Sequence, residues 1–282
     1  MRLANLDGRL SLVHGDGLVD VERLSGGRFG PDPQEAFGRW DEFSAWAATA
    51  DLAAAEVLPF QPEHLGPPVP APRQVFAVGL NYDEHARESG FVRPAAPLVF
   101  TKYPSSLTGP VSTVHLPTDT VDWEVELVVV IGRQAQRVAA HDSWSHVAGL
   151  TVGQDLSERT SQHAGPAAQF CLAKSFPGFS PTGPFLVTPD EFDDPEDLAL
   201  MCEADGVVLQ EGRTSQMIFP VRELIAHLSS VVTLYPGDLI FTGTPAGVGA
   251  GRTPPVYLRP GQTLHSRIAG LGEIRQTFTG GA

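Results

Sequence analysis

Glu124 and Glu126 stand two residues apart in DWEVELVVVI (122–131), a segment that runs straight into apolar residues. Side chains alternate across a strand, so both carboxylates leave on one face and Trp123, Val125 and Leu127 on the other. Such a pair sits about 6.5–7 Å apart, and at an effective dielectric of ~20 its repulsion is roughly 2–2.5 kcal/mol. A divalent cation would offset that directly. A solvent-facing edge strand would also tolerate it, and the segment alone leaves both readings open. Asp155 ends a second apolar strand, GLTVGQD (149–155). Alone it reads as a turn or cap residue. With the two glutamates it completes an all-oxygen triad, which favours Mg²⁺, Mn²⁺ or Ca²⁺ over Zn²⁺ and leaves about three octahedral positions for water or substrate.

Other segments carry groups that could work beside such an ion. In NYDEHARE (81–88), His85 and Glu88 are helical i, i+3 neighbours. A carboxylate beside an imidazole raises its basicity, which suits a base that deprotonates water. The plainer reading is an exposed helix face rich in charge. Seventeen of the 19 basic residues are arginine, and the only lysines are Lys102 and Lys174. Arg bias explains the former. A position that stays Lys in such a chain invites a role for a compact ammonium, such as stabilising an oxyanion or delivering a proton. Arg159 and Gln162, one helical turn apart after Asp155, could grip a substrate carboxylate, or be surface residues. Thr242 and Thr244 in TGTPAGVG (242–249) add hydroxyls beside flexible backbone, or simply mark a bend.

These residues need a scaffold, and the composition limits which one. The 282-residue chain carries 33 acidic and 19 basic side chains, a formal charge of −14, which argues against nucleic acid or an anionic membrane surface as partner. Its 29 Gly and 25 Pro suit a fold with many corners and disfavour a helical bundle. Two cysteines make no disulfide framework, and neither a secretory signal nor a membrane-spanning run is visible, so a soluble cytoplasmic protein is expected. The Gly-rich loop lacks GK[ST], and no G-x-G-x-x-G opens a helix, which disfavours a nucleotide enzyme.

Residues 3–24 read as a small β-meander, and 34–56 as an amphipathic helix with Phe37, Trp40, Phe43 and Trp46 on its core face. The Pro-rich stretch up to residue 72 reads as a linker, with a domain boundary near residue 70. Beyond it, 75–80 is a buried strand. A short helix over 81–89 is capped by Asn81 or Asp83. Further strands follow, with a hairpin around Asp205-Gly206, an amphipathic helix over 219–234 and a closing hairpin.

Taken in order, VGLNYDEHARESG (78–90), PLVFTKYPSSLTGP (97–110), DWEVELVVVIGR (122–133), VAGLTVGQDLSERTSQ (147–162), AKSFPGFSPTGP (173–184) and GDLIFTGTPAGVG (237–249) resemble the fumarylacetoacetate hydrolase family. The resemblance implies an α+β, mostly β fold. A catalytic domain of mixed β-sheets rolled around the active site spans 71–282. A small N-terminal α+β domain, as in the family's longer bacterial members, spans 1–70. It implies a homodimer, with Glu124, Glu126 and Asp155 binding a divalent metal (Mg²⁺ or Mn²⁺, with Ca²⁺ possible in principle). His85 and Glu88 are implied as a water-activating dyad, Lys174 as the family's lysine, and Arg159, Gln162 and Thr244 as substrate contacts. Glu158 stands where many members have Ala, and Thr160-Ser161 replaces a more usual acidic-hydrophobic pair.

The expected reaction is metal-dependent hydrolysis of a C–C bond in a 2,4-dioxo acid, an acylpyruvate or diketo-deoxy sugar acid, through a metal-stabilised enolate. The C-terminal stretch resembles the branch degrading 2,4-diketo-3-deoxy sugar acids. Decarboxylation and isomerisation or tautomerisation of 2-oxo acids use the same enolate and are the alternatives. From another class, the chain could be a metal-binding scaffold without turnover.

Overall fold

The computed structural model describes residues 1–280. Its main element is an eleven-stranded sheet. From one edge it runs Gly17–Asp20, Arg9–His14, Arg2–Leu6, Ser180–Val187, Val147–Gln154, Val125–Ile131, Leu239–Phe241, Val75–Gly79 and Leu98–Thr101, with two short strands attached at the side. A five-stranded sheet orders Val207–Arg213, Ala199–Ala204, Thr263–Ile268, Gly272–Gly280 and Val111–Leu116. The mostly β architecture expected from the Gly and Pro content is present. The strand Arg2–Leu6 joins the main sheet by pairing with Ser180–Val187.

Val125–Ile131 is buried along its whole length because both its faces are covered. Leu127, Val129 and Ile131 enter one core with residues of the five-stranded sheet, such as Leu200, Leu264 and Ile274. Val128 and Val130 enter a second core with Phe37, Trp40 and Phe43. The continuous apolar run in the sequence is thus two interleaved stripes, one for each core.

Three expectations need correction. The helix read over 34–56 is two short helices, Glu35–Gly38 and Trp40–Ala47, followed by a 3₁₀ turn at Leu52–Ala54. Gly38 is a poor helix former, and Arg39 leaves helical geometry at φ −135°. The break lets Phe37 and Trp40 stack at 5.5 Å, with both rings in the core. The strand read across 122–131 is interrupted at Trp123-Glu124. There the Glu124 and Val125 amides donate to the side chains of Gln154 (2.8 Å) and Gln210 (3.0 Å) instead of a neighbouring strand. The helix carrying His85 is Asp83–Glu88, but Tyr82 precedes it without a side-chain cap. Asn81 is instead fully buried: its amide nitrogen donates to the carbonyls of Phe219 and Thr242 at 3.0 and 2.7 Å, and its oxygen accepts from the Phe219 amide at 2.9 Å. It pins the start of the helix to the end of the strand Leu239–Phe241. Among the described residues no helix is long and apolar enough to cross a membrane.

Candidate active site

In the antiparallel register Val125 faces Gln154 and Glu126 faces Gly153, and the Asp155 amide donates to the Glu124 carbonyl at 2.9 Å. Glu124, Glu126 and Asp155 therefore converge at the open end of this strand pair. One carboxylate oxygen from each lies within 4.8 Å of the others, and all three residues are buried. Gly153 is needed beside them, because a Cβ there would press on Val128 and Phe241 at 2.5 and 2.8 Å.

Three cations balance part of this charge. Lys174 Nζ donates to Glu124 Oε2 and Asp155 Oδ2, both at 2.7 Å. Lys102 Nζ donates to Asp155 Oδ1 at 2.5 Å and to the Lys174 carbonyl. Arg159 Nη2 donates to Glu124 Oε1 at 2.7 Å. Burial alone would push the Glu124 carboxyl up, but Lys174 and Arg159 outweigh it and hold it below the usual carboxylate range. Burial would lower Lys174, but Asp155 and Glu124 outweigh it and raise it, so its ammonium is kept charged. Lys102 goes the other way: its complete burial dominates and brings it down.

Among the described residues no cation hydrogen-bonds to Glu126. Its Oε2 accepts only from the Gly243 amide at 2.8 Å, and burial together with Asp155 and Glu124 raises its carboxyl well above the ordinary value. Gly243 can aim that amide because it adopts φ +97°, where a Cβ would strike Asn81. Hard oxygen donors this close, one of them without a counter-charge, fit a divalent cation such as Mg²⁺ or Mn²⁺.

Across the cavity, His85 Nδ1 and Glu88 Oε1 are 2.8 Å apart. Glu88 is anchored by the Gly247 amide at 2.8 Å and more loosely by Val248 at 3.4 Å. His85 is buried rather than on an exposed charged face.

Arg159 is held from behind. Its Nε and Nη2 both donate to Asp122 Oδ2, at 2.9 and 2.8 Å, and its Nη1 donates to Gln162 Oε1 at 3.0 Å. The other Asp122 oxygen accepts from the amides of Trp123 and Gly249. Glu158 caps the short helix Arg159–Gln162, accepting from the Thr160 and Ser161 amides at 2.9 and 2.8 Å and from the Thr118 and Thr120 hydroxyls. Burial would raise the Glu158 carboxyl, but these hydrogen bonds outweigh it and hold it down at about 2.

The triad glutamates, Lys174, Arg159, Gln162, Thr244, His85 and Glu88 all line one cavity of about 270 Å³. Asp155 joins them through the triad. Thr244 is the odd member, since its hydroxyl already donates to the Val125 carbonyl at 2.8 Å and accepts from Gln210 at 2.7 Å. Thr242 likewise donates to the Leu127 carbonyl. Sequence reasoning missed Lys102 and Asp122. The available signal for the first was its rarity, as one of two lysines. The second, beside Trp123, gave none.

The chain is similar to known proteins over most of its length. A family model described as fumarylacetoacetate (FAA) hydrolase, C-terminal, matches residues 74–279. The chain is 44% identical over 230 residues to the human mitochondrial oxaloacetate tautomerase FAHD2A, covering 81% of this chain and 73% of that protein. It is 43% identical over 238 residues to a 2,4-didehydro-3-deoxy-L-rhamnonate hydrolase of Sphingomonas sp. (strain SKA58), covering 83% of each. A Mycobacterium smegmatis crystal structure provisionally assigned as an HpcE protein superposes with TM-score 0.95 at 57% identity over the whole of both chains. The maleylpyruvate hydrolase of Sphingobium sp. SYK-6, solved with manganese(II) and pyruvate, superposes with TM-score 0.81 at 29% identity, again over both whole chains. The chain belongs to the fumarylacetoacetate hydrolase family.

Proposed function

We propose that this chain is a divalent-metal-dependent hydrolase that splits the C3–C4 bond of a 2,4-dioxo acid, of acylpyruvate or diketo-deoxy sugar acid type. Glu124, Glu126 and Asp155 hold the ion, Mg²⁺ or Mn²⁺, which when bound supplies Lewis-acid polarisation of the 2-oxo group. The observation that carries the reading is the His85–Glu88 contact of 2.8 Å in the cavity that the triad also lines. Decarboxylation needs no attacking water, so a base placed to activate one favours hydrolysis over it.

In this reading Glu88 orients the imidazole, and the far ring nitrogen of His85 takes a proton from water as its oxygen adds to C4. The C3–C4 bond then breaks, its electron pair passes to the pyruvate enolate, and a carboxylic acid is released. Protonation of C3 completes the addition of one water across the bond. Lys174, kept charged by its carboxylate partners, faces the developing negative charge. Arg159 and Gln162 orient the carboxylate at C1, the former braced by Asp122. Thr244 acts as a wall rather than a hydroxyl donor, since its proton is already engaged.

The same reading takes residues 71–282 as the catalytic unit, residues 1–70 as a small N-terminal unit that extends its sheet, a homodimer as the assembly and the cytoplasm as its location. A second reading, oxaloacetate tautomerase, is favoured by the likeness to the human protein. Incubating acylpyruvates with enzyme and Mg²⁺ in ¹⁸O-labelled water separates the two. Hydrolysis delivers pyruvate and a labelled carboxylate. Keto–enol exchange of oxaloacetate without cleavage of any acylpyruvate would establish the tautomerase.

A further inference from the structure

One wall of the cavity takes no part in the chemistry above. Lys174 Nζ lies 5.2 Å from the centre of the Phe100 ring, and Phe100 meets Phe170 edge-on at 5.4 Å. Phe170 in turn covers Gly79, where a Cβ would come within 3.6 Å of its ring. Phe91 lines the same cavity and is half exposed, at 51%. From the triad the lining thus continues through Lys174 to Phe100 and Phe170, and the same cavity is also lined by the half-exposed Phe91 and by Val248, Ala250 and Gly251.

The charges along that lining are already committed. Lys174 is paired with Glu124 and Asp155, and Arg159 with Asp122 and Glu124. They are the only lysine and arginine lining the cavity among the described residues. Glu88, in the same lining, adds a carboxylate. A second carboxylate on the substrate would be buried beside phenyl rings and Glu88 with no unpaired lysine or arginine to meet it, which is costly. Uncharged carbon on these rings gains a factor of about four in affinity for each CH₂ buried.

We propose that the outer half of the cavity, walled by Phe91, Phe100 and Phe170, is a subsite for an uncharged tail, and that the enzyme takes 2-oxo and 2,4-dioxo monoacids in preference to diacids. This rests on the reading that the 2-oxo acid head sits at the triad. Hydroxyl-bearing tails remain acceptable, because Ser89 and His163 at the cavity lining offer hydrogen bonds.

The test is calorimetric binding to the full-length protein with Mg²⁺ of three acids that share one head: pyruvate, 2-oxohexanoate and 2-oxoadipate. The last two have the same chain length and differ in whether the tail ends in methyl or carboxylate. We expect 2-oxohexanoate, with three more CH₂ groups, to bind at least about tenfold and up to about sixtyfold tighter than pyruvate, and 2-oxoadipate at least about tenfold weaker than 2-oxohexanoate. Phe170→Arg should narrow or invert that second ratio, while Phe170→Ala should bring 2-oxohexanoate back towards pyruvate. Equal or tighter binding of 2-oxoadipate by the unaltered protein overturns the subsite and leaves the head reading intact. Failure of pyruvate itself to bind overturns the head reading, and the subsite with it.

Discussion

Asp122 and Arg159 form a buried two-point pair, with Nε and Nη2 of the guanidinium both on Oδ2 at 2.9 and 2.8 Å. The same carboxylate accepts from the amides of Trp123 (2.8 Å), Gly249 (2.7 Å) and Ala250 (2.9 Å). It thus fastens the arginine to the loop whose Gly247 amide holds Glu88. Gly249 is required there, since a Cβ would overlap the Val256 carbonyl. Asp122→Asn replaces one acceptor oxygen by a donor among five donors. We expect it to raise KM about tenfold or more, with a smaller loss in kcat, and to destabilise the fold by about 3 kcal/mol. Steady-state kinetics and urea denaturation read both.

Glu126→Gln removes the one triad carboxylate that lacks a cation. For the unaltered protein, Mg²⁺ at about a hundred times its Kd should add ~2.7 kcal/mol of stability. The variant should lose that gain while keeping its metal-free melting temperature or raising it. EDTA should abolish turnover of the unaltered enzyme, and Mg²⁺ or Mn²⁺ should restore it.

Lys102→Met leaves Asp155 with Lys174 alone. Breaking a buried pair from one side costs about 3–5 kcal/mol, so the metal-free variant should melt well below the unaltered protein. Added Mg²⁺ should recover more stability in the variant than in the parent, because it replaces the missing charge. Thermal melts with and without the ion decide it, and an unchanged metal increment would count against the role assigned to Lys102.

His85→Gln should cut hydrolysis by about 10²–10⁴-fold while leaving pyruvate affinity within a few-fold. Any tautomerase activity that does not use the base should survive it. Loss of both activities in equal measure would show that one base serves both reactions.

Glu158 supplies a pH signature. Its carboxyl is held at about 2 in the folded protein against about 4.3 when unfolded. Because the folded value is the lower one, its stabilisation is whole above about pH 4.5 and drains away as the pH falls towards 2. Glu158→Gln lacks that component. The gap in urea midpoint between parent and variant should be widest near neutrality and shrink through this acid range.

Much of the site was legible because it is local. Strand alternation put Glu124 and Glu126 together even though the strand starts only at Val125, since the Glu124 carbonyl still accepts from the Asp155 amide at 2.9 Å and stays beside the strand pair. The i, i+3 spacing placed His85 and Glu88 within hydrogen-bond reach. What stayed hidden is held by contacts between distant segments. Lys102 meets Asp155 across 53 positions, and Asp122 meets Gly249 across 127. No period in the sequence encodes such a pairing. The helix read over 34–56 failed for a different reason: the aromatic spacing marked the buried face correctly, but Gly38 and the ring stacking of Phe37 on Trp40 split the element that carries it.

Glu124 and Asp155 already have ammonium and guanidinium groups packed against them, and Glu126 is held by the Gly243 amide, so the acids do not have to wait for an ion to come together. The chain can fold first and be loaded afterwards, unlike small domains whose metal is their core. On the proposed function, loading and stripping would be reversible steps performed on a finished protein, and the free concentration of the dication would set the active fraction without putting the fold at risk.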